Sequence, residues 1–81
     1  MRVTVKLFAR LREIAGSDTL ERDVPAGATV ADVWRALVAE WPTLVAFDTT
    51  VSGAVNAEYA PMSRTVAEGD EVAFLPPVSG G

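Results

Sequence analysis

The residues best placed to do chemistry lie at the carboxyl end, Phe74-Leu75-Pro76-Pro77-Val78-Ser79-Gly80-Gly81. Val72-Ala73-Phe74-Leu75 reads as a buried strand, and the two prolines stop it. Each proline lacks a backbone N–H and has a fixed φ, so the chain leaves the sheet stiff and extended. The six residues from Pro76 to Gly81, at about 3.3 Å each, reach roughly 20 Å from a domain. That is far enough to enter another protein's active site. Gly80 and Gly81 have no side chains, so a terminal carboxylate can pass where a Cβ would clash, and the backbone can take whatever φ a channel requires. The chemistry on offer is that of a bare carboxylate on a thread. A Gly-Gly end alone is also what a loose terminus looks like; the Pro-Pro stiffener directly after a strand favours the delivered carboxylate.

The rest of the chain lacks the commonest reacting groups, and acidic residues such as Asp70 and Glu71 read as turn and surface residues rather than a catalytic pair. There is no cysteine and no histidine, which removes the commonest nucleophile, the commonest general base and the usual soft metal ligands. Neither a bound cofactor nor a metal is expected. A disulfide scaffold is excluded, no signal-peptide pattern opens the chain, and no apolar run approaches membrane-spanning length, so a cytoplasmic location is expected. The formal net charge is −4 and the basic residues are scattered, so a nucleic-acid backbone would be repelled. A protein partner with a basic docking surface is one reading of that charge; simple solubility is the other.

The elements that must position the tail follow from periodicity. Arg2 to Ala9 alternates, with Val3, Val5 and Leu7 on one face and Arg2, Thr4 and Lys6 on the other, which predicts a first strand. Phe8 is apolar on the polar face, so that face is expected to be partly covered. Leu11 and Ile14 with Gly16 behind them predict a short helical connection closed by glycine. Thr19 to Val24 reads as an edge strand in a hairpin with the first, although Arg22 interrupts its apolar face.

Val30, Val33, Trp34, Leu37, Val38 and Trp41 share one stripe of a helix from about Val30 to Trp41. Thr29 and Asp32 form a capping box at its start, and Pro42 stops it. Both tryptophans are in register with the stripe and are read as core. Thr43 to Thr50 is a connector. Val51 to Asn56 is a strand weakened by Gly53, Asn56-Ala57 a turn, Glu58 to Ala60 a short return, and Glu71 to Leu75 the last strand.

This order predicts an α+β roll, one mixed sheet with a helix packed across one face. The boundaries expected are 1–75 for the domain and 76–81 for the tail. Alternation along the last strand puts Val72 and Phe74 inward and Ala73 and Leu75 outward, beside Phe8 on the uncovered face, and an apolar patch there would mark a partner surface.

Three blocks carry a family resemblance across essentially the whole chain: Val5-Lys6-Leu7-Phe8-Ala9-Arg10-Leu11-Arg12-Glu13, Ala54-Val55-Asn56, and Gly69-Asp70-Glu71-Val72-Ala73-Phe74-Leu75-Pro76-Pro77-Val78-Ser79-Gly80-Gly81. With them the sequence resembles the ubiquitin-like β-grasp sulfur carriers, above all the small subunits of molybdopterin synthase. The resemblance implies that an adenylating enzyme uses ATP to activate the carboxylate of Gly81 as a transient acyl-adenylate. Sulfur from a sulfurtransferase then displaces AMP to leave a thiocarboxylate. It implies a large-subunit partner, in a heterotetramer of two small and two large subunits, that supplies the catalytic side chains. There sulfur passes to precursor Z, the cyclic pyranopterin monophosphate, in molybdenum cofactor biosynthesis. Gly80 and Gly81 would be the reacting end, and Phe8, Leu75, Pro76, Pro77, Val78 and Ser79 the partner contacts. Alternatives are a sulfur carrier for thiamine thiazole synthesis, a ubiquitin-like protein modifier, and a binding module with an inert tail.

Overall fold

The computed structural model describes residues 1–77. Five strands, β1 (Arg2–Leu7), β2 (Thr19–Asp23), β3 (Ser52–Val55), β4 (Glu58–Ala60) and β5 (Glu71–Leu75), form one sheet in the order β2-β1-β5-β3-β4. β1 and β5 are parallel, and the other pairs are antiparallel. A short helix α1 (Ala9–Ala15) follows β1, and the main helix α2 (Val30–Glu40) lies across one face. A 3₁₀ helix, Pro42–Phe47, links it to β3. This is the ubiquitin-like β-grasp roll expected from the sequence.

The two faces differ because one helix supplies one apolar stripe. Val30, Val33, Trp34 and Leu37 of α2 are buried against Val3, Val5 and Leu7 of β1, Val55 of β3, and Val72 and Phe74 of β5. Trp34 and Phe74 meet with ring centroids 5.2 Å apart at 49°, a tilted contact of the kind aromatic quadrupoles favour. The capping box is complete: the Asp32 N–H donates to Thr29 Oγ1 at 3.2 Å, and the Thr29 N–H to Asp32 Oδ2 at 2.9 Å.

Several boundaries shift for local reasons. β1 ends at Leu7 rather than Ala9, because Ala9 has φ 51° and turns the chain into α1, while Phe8 stays extended at φ −123°, ψ 154°. α2 ends at Glu40, and Trp41 is its C-cap at φ −126°, ψ 85°, since a residue before proline is pushed out of the helical region. Pro42 does not end in a plain connector. It opens the 3₁₀ helix, whose Leu44 is fully buried. Arg22 fits an inward-facing edge position because its guanidinium reaches out to Glu40, at 3.1 and 2.9 Å, and lies 5.8 Å from the centre of the Trp41 ring.

Candidate functional site

The sheet face opposite α2 carries the site. β5 is central in the sheet, and its register sets which side chains share this face: Ala73 opposes Lys6 of β1 and Ala54 of β3, Leu75 opposes Ser52, and Ala54 opposes Tyr59 of β4. Two small side chains at the centre, Ala54 and Ala73, leave a floor. Phe8, Tyr59 and Leu75 stand around it as walls, enclosing a recess of about 250 Å³ that Ala57 and Glu71 complete. Phe8 is 44% exposed and Tyr59 80% exposed. Large apolar groups so exposed beside a shallow floor are what a protein partner covers.

The strand that forms the floor also launches the tail. β5 ends at Leu75, on the rim of the recess, and Pro76 and Pro77 follow outside the sheet, the first partly buried and the second exposed. Phe8 and Leu75, two residues expected to be partner contacts, thus line one recess, with Pro76 next in the chain. Val78, Ser79, Gly80 and Gly81, the rest of the expected site, lie outside the described residues.

The turn ahead of β5 is fixed by a polar clamp. The Asn56 side chain accepts from the Glu71 N–H at 3.0 Å and donates to Asp70 Oδ1 at 3.0 Å, and Asp70 Oδ2 accepts from the Ala67 N–H at 2.7 Å. Asn56 and Ala57 both have positive φ, 51° and 69°, as a tight turn between β3 and β4 demands. The Ala67 N–H, then the Asn56 amide and more weakly the Arg64 charge, hold the Asp70 carboxyl below its ordinary range. These bonds tie the Asp70 carboxylate and the Glu71 N–H to the turn and so serve the register of β5. Among the described residues no polar or charged side chain is buried, and no group of acidic side chains could hold a metal ion. No described helix is long and apolar enough to cross a membrane.

Sequence reasoning missed Tyr59 and Ala54 as members of this face. Tyr59 joins it only because β4 pairs with β3 so that Tyr59 opposes Ala54, a register set by tertiary pairing and invisible in a three-residue strand. Lys6 was legible, since it stands two residues before Phe8 and therefore on the same side of the extended chain.

The ThiS family is matched over residues 5–81. The chain is 39% identical over 79 residues to the molybdopterin synthase sulfur carrier subunit of Arabidopsis thaliana, across 98% of this chain and 82% of that one. It is 43% identical over 84 residues to small archaeal modifier protein 1 of Haloferax volcanii, across 94% of this chain and 97% of the other. The crystal structure of SAMP1 from the same organism superposes with a TM-score of 0.87 at 40% identity, covering 100% of both chains.

Proposed function

The chain belongs to the ThiS family, and from that premise we propose that it is the sulfur carrier subunit of a molybdopterin synthase, with Gly81 as the carrying residue. The observation that supports this most directly is the position of β5: the strand that floors an exposed apolar recess is followed in the sequence by Pro76-Pro77 and the Gly-Gly end. A partner that grips Phe8 and Leu75 receives the tail at the same time.

The chemistry follows from the carboxylate. Ionised at neutral pH and with a poor leaving group, it is unreactive towards sulfur. An adenylating enzyme joins it to AMP and releases pyrophosphate. Sulfur supplied by a sulfurtransferase at the sulfide level adds at the acyl carbon and AMP departs, leaving a thiocarboxylate. That soft nucleophile enters the active site of the large subunit and bonds through its sulfur to precursor Z; water then adds at the acyl carbon and cleaves the carbon–sulfur bond, leaving sulfur on the pterin and the carrier as the carboxylate. ATP is bound by the activating enzyme and not by this chain, and the setting is the cytoplasm. Intact mass of the chain isolated from its native cell tests this: one oxygen replaced by sulfur is expected, and a chain that stays oxygen-only while the pathway is active would overturn the reading.

The similarity to small archaeal modifier protein 1 supports a second role, in which the same activated carboxylate is passed to amines of target proteins. Covalent adducts larger than the free chain, detected by blotting, would establish it.

A further inference from the structure

The sequence contains a single lysine, Lys6, and it stands on the open face in register with Ala73. The side chain is partly buried between β5 and Thr19 of β2, two residues before Phe8. Its ammonium makes no ion pair among the described residues. The nearby carboxylate of Glu21 is already engaged, by Thr4 Oγ1 at 3.0 Å and Arg2 Nε at 3.6 Å, and Glu71, which opposes Thr4 and so stands diagonal to Lys6 on the same face, makes no ion pair with it. The remaining charges of β1 and β2 are satisfied locally: Arg2 also pairs with Asp23 at 3.1 Å, and Arg22 with Glu40 at 2.9 Å.

A partner seated on Phe8, Ala73 and Leu75 would strip the remaining water from that ammonium. An unpaired charge taken out of water costs more than the adjoining apolar contact returns, so the covering surface must supply an anion. We propose that Lys6 is a specificity-determining residue of the docking face, and that the protein docking there places a carboxylate against its ammonium. This rests on the docking proposed above and adds the chemistry of the partner: an apolar surface bearing an acid, although the carrier as a whole is itself acidic. The acid selects register as well as partner, because a shift of the partner along β1 would strand both charges.

The single lysine makes the test direct. The full chain is mixed with the large subunit of molybdopterin synthase from the same genome and treated with a zero-length carbodiimide, which joins only amines and carboxylates already in contact. This chain offers two amines, Lys6 and the Met1 amine, and the latter donates to the Val24 carbonyl at 2.8 Å. The expected product is an amide between Lys6 and a carboxylate of the large subunit. In parallel, Lys6→Met should weaken binding by about tenfold, with a shallower salt dependence than the parent, while circular dichroism stays unchanged. A cross-link map without Lys6, or a Lys6→Met affinity equal to the parent's, would overturn the proposal. Leu75→Glu separates the two levels: if it weakens binding and Lys6→Met does not, the docking face stands and the role of Lys6 falls; if Leu75→Glu binds normally, the docking face itself is wrong.

Discussion

Gly53 of β3 lies directly under Val30 of α2: a Cβ at Gly53 would stand 2.9 Å from Val30 Cγ1. The glycine is therefore the notch that lets the first turn of the helix sit on the sheet. A helical valine is nearly locked at χ1, so it cannot swing away. Gly53→Ala should destabilise the domain by about 1 to 2 kcal/mol, read as a lower midpoint in urea. In a Val30→Ala background the added penalty should vanish, and a double-mutant cycle measures that coupling. An equal penalty in both backgrounds would show that the cost lies elsewhere in β3.

The two sides of β5 should respond oppositely to substitution. Phe74 is fully buried against Trp34, so Phe74→Ala should cost about 3 to 5 kcal/mol. Leu75 lines the open recess, so Leu75→Glu should leave the circular dichroism spectrum intact and weaken binding to the large subunit. An unfolded Leu75→Glu chain would mean that the open face carries part of the core.

The contrast between these neighbours also marks what was legible in the sequence. The helix stripe from Val30 to Leu37 and the alternation in β1 and β5 are local patterns, and the sheet and helix formed as they predict. The insertion of β5 beside β1 is a long-range pairing with no local signature. The Thr43–Thr50 segment reads as a connector, yet one buried side chain, Leu44, pins most of it as a 3₁₀ helix. Arg22 looked like an error in an apolar face until Glu40 and Trp41, distant in sequence, supplied its partners.

Acid should loosen the clamp ahead of β5. The Ala67 N–H and the Asn56 amide lower the folded-state pKa of Asp70 below 3.8. A depressed carboxyl contributes stability that is fully present above its unfolded pKa and is lost as pH falls through its folded pKa. Asp70→Asn keeps the shape and removes the charge, so it should be less stable than the parent at neutral pH. The two should converge as pH falls through the lowered folded-state pKa of Asp70, below which both carry a neutral group. Urea midpoints followed from neutral pH down through the acid range check this; a constant difference would assign the loss to geometry and not to charge.

The last prediction concerns the reacting end. The proposed activation requires a free α-carboxylate at the tip of a thread narrow enough for a channel, so adding one residue after Gly81 should abolish function by moving the acyl carbon out of register. Deleting Gly81 should do the same by leaving it short. Gly80→Ala and Gly81→Ala ask a narrower question, because a Cβ adds bulk and disfavours positive φ without altering length. The core of the described residues does not depend on these positions, so thermal midpoints should not move, and the loss should appear in ATP–pyrophosphate exchange with the activating enzyme or in the mass of the thiocarboxylate product. The order of failure is informative: alanine variants that exchange pyrophosphate but deliver no sulfur would place the tight channel in the large subunit, and variants that fail exchange would place it in the activating enzyme. Full activity in a chain whose C-terminal extension remains uncleaved would remove Gly81 as the reacting residue and the sulfur-carrier reading with it.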